Sequence, residues 1–213
     1  MTHFAYLFER FPSFGQTFCY REVAELDRQD ITPPIFSIRN PKDEPSQDWD
    51  TRIVKCVHYL PEEKELLDDV RRASRKGNVT SGIVAALDEW GTADRFPSAL
   101  SGCLRRVAPA TDGDSPCPRA LRGNGSAHGF LIHKFFSITF SFTAHANDIF
   151  APRDFEIGLD KLVDTSRVIV TETDYAEQFL RERFPERADR VHRIYNGLNL
   201  AEFGRTDFSL LHR

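Results

Sequence analysis

The sequence predicts an α/β fold, a parallel sheet flanked by helices. Two observations carry the prediction. Short apolar runs of strand character alternate with segments whose apolar residues recur at helical spacing. One such run, "FFSITFSFT" (135–143), alternates aromatic or aliphatic with small hydroxyl residues and leads into His145. A strand that merely filled a core would need no histidine there, and in open α/β sheets ligands gather at strand ends.

The elements follow in order. "HFAYLFE" (3–9) reads as the first strand. "RFPSFGQTF" (10–18) is a turn: Pro12 and Gly15 break regular structure, and Ser13 with Gln16 three residues on fits a helix-opening capping box. Cys19, Val23 and Leu26 then mark the buried face of a helix through "FCYREVAELDRQ". "IFSI" follows Pro33-Pro34 as a short strand, "PKDEPSQDWD" is polar loop, and "RIVKCVHYL" (52–60) reads as a further strand. Pro61 opens a helix in which acids lead bases, as the helix dipole prefers, and "SGIVAALDEW" reads as another ending near Trp90.

From 92 to 128 the chain is rich in Arg, Ala, Pro, Gly and Ser, with no sustained period, and is expected to be irregular. Order resumes at "FLIHKFFSITFSFTAHANDIF". A short helix near "EIGLDKLVD", a strand "RVIVT", an amphipathic helix through Tyr175, Phe179 and Leu180, and a strand "RVHRIYNG" complete the chain.

The 213 residues can bury an ample core without staples, and the formal net charge of −4 argues against a nucleic-acid partner. No apolar run approaches the roughly 18–20 residues of a membrane span. The N-terminus starts directly on a strand-like run, so no secretory signal is expected. Cys19, Cys56, Cys103 and Cys117 are scattered without a C-x-x-C pair, as suits reduced thiols in the cytoplasm. His128, His133 and His145 match no metal-ligand spacing, so no metal is expected.

Three stretches together resemble the N-terminal domain of retaining glycosyltransferases of family 4, also called group 1. "RFPSFGQTFCYREVAEL" is similar to that family's opening. "FSFTAHANDIF" is similar to its T-x-H-x-x-D strand end. "VIVTETDYAEQFL…RVHRIYNGLNLAEF" is similar to its strand–helix–strand close ending in N-G-[VL]-D-x-x-x-F. They occur in the family's order and span residues 4–28 and 130–203. The resemblance implies a Rossmann-like domain over residues 1–203, the acceptor-side half of a two-domain GT-B enzyme, with 204–213 as tail or interdomain linker. It implies sugar transfer from a nucleotide diphosphate sugar to a glycan or lipid-linked acceptor with retention. No further cofactor is implied. It also implies a cytoplasmic setting, compatible with peripheral contact at the inner face of the membrane.

Departures from the family accompany the resemblance. The E-x(7)-E motif that grips the donor in the family's other half does not follow before Arg213, and Asn199 stands where the family has Asp. The histidine-rich strand of several relatives is matched poorly by His128 and His133. The expectation is therefore a chain inactive alone, as a truncated or split transferase. The alternative is a non-catalytic acceptor-binding subunit that pairs with a separate donor-binding chain.

His145 is the leading catalytic candidate, since the resemblance places it beside the donor sugar. Asp148 is either an acceptor-binding carboxylate or a helix cap. The Ser13–Thr17 loop offers backbone N–H groups suited to a diphosphate, with Gly15 allowing close approach and Gln16 and Thr17 completing the turn. An ordinary βα turn is the competing reading. Arg10 faces anionic groups or solvent. Asn196 and Gly197 sit at the end of the last strand, in a ligand role or as a plain turn pair. Glu172 and Asp174 read as residues that open a helix.

Overall fold

The structure is a computed structural model of the chain, described over residues 4–45, 47–60, 120–122, 126–136, 138–150 and 157–198. The eight described strands, in chain order, are β1 (Ala5–Arg10), β2 (Ile35–Arg39), β3 (Val57–Tyr59), β4 (Ala120–Arg122), β5 (Thr139–Phe140), β6 (Phe142–Ala144), β7 (Ile169–Thr171) and β8 (Val191–Arg193). Every described pairing is parallel. One sheet runs β3-β2-β1-β4-β5 and the other β6-β7-β8. Between them stands Ser141 alone. Its neighbours keep the chain bonded along one edge, for Arg167 N–H donates to the Phe140 carbonyl at 2.9 Å and Phe142 N–H to the Val168 carbonyl at 3.2 Å. The 3-2-1-4-5 order is that of doubly wound α/β sheets, so the parallel α/β prediction holds and the order is compatible with a Rossmann-like fold.

β1 is the central strand, and its side chains divide between two cores. Tyr6 and Phe8 join Phe11, Cys19, Val23, Ile35, Ile53 and Val57 on one face. Ala5 and Leu7 join Phe130, Phe140, Phe142, Leu162, Ile169, Leu180 and others on the opposite face. A strand buried on both sides reads as a nearly continuous apolar run, which "AYLF" is.

The first helix, α1 (Thr17–Arg28), buries Cys19 and Val23 against the first of these cores. The capping box expected there does not form. Ser13 Oγ instead donates to both Glu44 oxygens at 3.1 Å, and only the Gln16 backbone N–H returns, to the Ser13 carbonyl, at 3.1 Å. Ahead of that turn the Phe11–Pro12 peptide is cis.

Residues 52–60 are not one strand. Asp50 Oδ1 accepts the Arg52 N–H at 2.8 Å and starts a one-turn helix, α2 (Thr51–Lys55), before β3. The cap outweighs the β-branched pair Ile53-Val54. The two helices expected between 61 and 90 lie outside the described residues. So does most of the stretch expected to be irregular, but not its end. There β4 inserts between β1 and β5, and α3 (Ser126–Phe136) is regular helix from Ser126 onward. The run at 135–143 is corrected likewise: α3 absorbs Phe135 and Phe136. From Ile138 the expected alternation holds, with Ile138, Phe140, Phe142 and Ala144 buried.

The remaining described α-helices are α4 (Ala146–Phe150), α5 (Leu159–Thr165) and α6 (Asp174–Arg183). Thr173 caps α6, its Oγ1 accepting the Ala176 N–H at 3.2 Å. Among the described residues no helix is long and apolar enough to cross a membrane.

Candidate functional site

The sheet face that carries α1 continues over β6 and β7 as a cleft of about 900 Å³. Ser141, Thr143, Val168 and Val170 line its sheet side, and α1 contributes Phe18, Arg21 and Glu22. The carboxyl ends of β6, β7 and β8 close it with His145, Glu172 and the 194–198 segment. In a parallel sheet all these ends lie along one edge, where ligands of such sheets bind.

Register explains the arrangement. Ala144 pairs with Thr171, so the residues one step beyond each strand, His145 and Glu172, stand side by side. His145 Nδ1 lies 2.8 Å from Glu172 Oε2, with the side chains 18% and 21% exposed. From beyond β8, Asn196 Nδ2 donates to the other carboxylate oxygen, Oε1, at 2.8 Å. Glu172 thus spans two residues nominated from sequence. Burial alone would raise its pKa, but the hydrogen bond and charge of His145 and the hydrogen bond from Asn196 outweigh it and hold the carboxyl below 4.5. The His145 ring rests on Phe18 of α1, with centroids 5.1 Å apart.

The backbone of His145 is equally committed. Its carbonyl accepts the Asp148 and Ile149 N–H groups at 2.9 and 3.1 Å. Its N–H donates to Asp148 Oδ2 at 3.1 Å. That is the returning half of a capping box, so Asp148 performs the cap role at the start of α4.

The β1–α1 turn is organised around a carboxylate that sequence did not nominate. Glu44 accepts from Arg10 Nη1 at 2.9 Å, from Ser13 Oγ, and from the Phe14 N–H at 2.7 Å. The Arg10 guanidinium and the Phe14 N–H hold its pKa below the usual carboxylate range. Gln16 Oε1 is buried and accepts no hydrogen bond from the described residues. Among the described residues a Cβ added at Gly15 or Gly197 would meet nothing within 4 Å, so packing against them requires neither glycine.

The structure therefore brings His145, Asn196 and Gly197 together in the cleft. Arg10 ends β1, Gly15 and Gln16 lie on the turn that follows, Thr17 begins α1 and Asp148 lies in α4, all outside the residues that line the cleft. Glu172, Phe18 and Glu44 were missed. Glu172 leaves the helix-opening role to Thr173 and to Asp174, the first residue of α6, whose carboxylate meets Arg193 and Tyr195. No local pattern marks Glu172: only the pairing of "FTA" with "IVT" sets the polar residues that follow them side by side.

The α1 side of the cleft is charged but largely self-compensated. Glu25 clamps Arg28 through bonds of 2.8 and 2.6 Å, and the Tyr6 hydroxyl donates to Glu22. Arg21 Nε is buried without a hydrogen-bond partner among the described residues. Among the described residues no group of three or more His, Cys, Asp or Glu is placed to hold a metal ion. Chemically, the strand-end cluster offers an imidazole, a carboxylate and an amide beside an aromatic ring, a set suited to hydroxyl groups on an apolar-faced ligand. No protein-family model matches the chain, and no curated protein sequence matches it.

Proposed function

We propose that this chain is the acceptor-side, Rossmann-like domain of a retaining glycosyltransferase of the family 4 type. It would act in transfer from a nucleotide diphosphate sugar to a glycan or lipid-linked acceptor, in the cytoplasm and with peripheral membrane contact. One observation carries the reading: His145 and Asn196, drawn from two separate motifs of the resemblance, meet on Glu172 at the carboxyl edge of a parallel sheet. The 3-2-1-4-5 strand order is consistent with it.

In such chemistry the cleft positions the sugar and stabilises developing charge, while a donor-binding half holds the diphosphate. The His145 ring, tilted against Phe18, would meet a sugar hydroxyl. Titrating the full chain with UDP-glucose, GDP-mannose and a lipid-linked sugar, followed by amide shifts, tests the reading. Shifts centred on His145, Asn196 and Gly197 are expected. With a donor-binding half supplied, His145→Ala should lower turnover about 10²-fold, the loss of one well-placed polar group. Failure of all three ligands to shift these residues at millimolar concentration refutes it.

A further inference from the structure

We infer that Arg21 is a binding residue for an oxyanion, a phosphate or carboxylate group of the ligand that the cleft receives. The inference deepens the transferase reading and rests on it only in assigning that oxyanion to the acceptor.

Three observations carry the argument. Arg21 lines the cleft, and its Nε is buried without a hydrogen-bond partner among the described residues. A buried donor left unpaired costs stability, so the position is poised for an acceptor atom that arrives with a ligand. The carboxylates that line the cleft are committed elsewhere: Glu22 to the Tyr6 hydroxyl, Glu25 to Arg28 and Gln29, and Glu172 to His145 and Asn196. Glu25 stands four residues from Arg21, at the spacing that pairs opposite charges on a helix, yet takes Arg28 instead.

Arg28 shows what such a fork accepts. Its Nε and Nη2 hold the two Glu25 oxygens at 2.8 and 2.6 Å, a bidentate pair. Arg21, earlier on the same helix, carries the same planar fork with its Nε unfilled. A phosphate or carboxylate fits that fork by the same geometry. A neutral hydroxyl, with its single oxygen, does not.

Position narrows the ligand. Arg21 follows Phe18 by three residues, so the two lie on one face of α1, about 4.5 Å apart along its axis. Phe18 is the residue whose ring meets His145. The oxyanion subsite is therefore about one helical turn from the His145 corner, and the Ser141 and Thr143 hydroxyls line the sheet side of the same cleft. The proposed chemistry leaves the donor's diphosphate to the donor-binding half, so the oxyanion at Arg21 belongs to the acceptor. The acceptor class is then anionic: a sugar phosphate or an acidic sugar.

The Arg21 Nε–H resonance of the full chain, observed by nitrogen-15 spectroscopy and assigned by its loss in Arg21→Lys, reads the site directly. Glucose 1-phosphate, glucuronate, UDP and neutral glucose are titrated in turn to millimolar concentration. Glucose 1-phosphate or glucuronate should move the resonance and slow its exchange, and the tighter of the two names the oxyanion. Glucose should leave it in place. Arg21→Lys, which keeps the charge and loses the fork, should weaken that binding roughly tenfold, or ~1.4 kcal/mol. Arg52→Lys, the same exchange outside the cleft, should bind like wild type. A resonance that neither anion moves, or that glucose moves as far, overturns the inference without any variant needing to fold. Unchanged affinity in Arg21→Lys overturns it too. UDP binding at Arg21 more tightly than both anionic sugars gives the oxyanion to the donor and overturns the acceptor assignment. If the anions bind at Arg21 while UDP-glucose, GDP-mannose and a lipid-linked sugar leave His145, Asn196 and Gly197 unshifted, the transferase reading falls and the oxyanion site stands.

Discussion

Ser37→Ala should destabilise the protein by about 2 kcal/mol, although it removes a single oxygen atom. Ser37 has no exposed surface in the middle of β2. Its hydroxyl accepts the Phe11 N–H at 2.8 Å and donates to the Arg39 carbonyl at 2.7 Å. Phe11 is fully buried just past the end of β1. Alanine in place of serine leaves its N–H shut away from water with that acceptor gone, at a cost of about 1–3 kcal/mol. The Arg39 carbonyl belongs to an exposed residue and can turn to solvent, so the estimate stays near the middle of that range. For a chain of this length, 2 kcal/mol corresponds to a melting shift of roughly 4–8 °C. Calorimetry and urea unfolding measure the loss, and the Phe11 amide should exchange markedly faster than in the wild type. A change under about 0.5 kcal/mol with unaltered exchange at Phe11 would show that this hydroxyl does not anchor the turn into α1.

Four further outcomes are expected. The Glu172 carboxyl is held low partly by His145, so His145→Ala should raise its titration point. Because its folded value is depressed, Glu172 contributes stability above the unfolded value near 4.5 that is lost as pH falls through the folded one; the variant's acid transition should lose part of this contribution, as pH-dependent unfolding can measure. Glu44→Gln should loosen the β1–α1 turn by weakening its bonds to Arg10 and Phe14, read as faster amide exchange at Phe14 with little change at Phe8. Gly15→Ala should be neutral or stabilising by up to about 1 kcal/mol, since its Cβ meets open space. Gly129→Ala should be destabilising in the same melting assay, because its Cβ would stand 3.0 Å from the Phe140 ring.

Where local pattern and burial agree, the fold was legible. "AYLF" is apolar throughout because β1 is covered on both sides, and α1 shows its inward face in Cys19 and Val23. Errors arose where one turn of chain decided the outcome. Nothing apolar distinguishes Ile53-Val54 as helix; the Asp50 cap does. Phe135 and Phe136 look like strand because they precede one, yet α3 runs through both before β5 begins. In the site, His145 was visible from its odd place at the end of an apolar run. Glu172 became visible only through the pairing of Ala144 with Thr171, a fact about register rather than composition. Glu44 lies in a polar loop thirty or more residues from the donors it meets, and no local pattern predicts such a return.

The division of β1 between two cores bears on how the chain folds. One core, Tyr6 to Val57, is drawn wholly from the N-terminal part of the described chain. The other draws mainly on residues beyond Phe130 and reaches β1 only through Ala5 and Leu7. Pairing β1 with β2 joins Tyr6 to Ile35, while pairing it with β4 joins Ala5 to Leu121, a span about four times as long. Two doublings of loop length add roughly 1.2 kcal/mol to the entropy of closure, at about 0.6 each. The near partner is therefore favoured first, and β1 passes through a stage with one face covered and the other bare. At that stage its β4 side is an open parallel edge beside an uncovered Leu7, the kind of surface through which two half-folded chains pair with each other. Fast capture of Ala120–Arg122 is then a kinetic safeguard as much as a structural one, and aggregation during refolding should depend steeply on protein concentration.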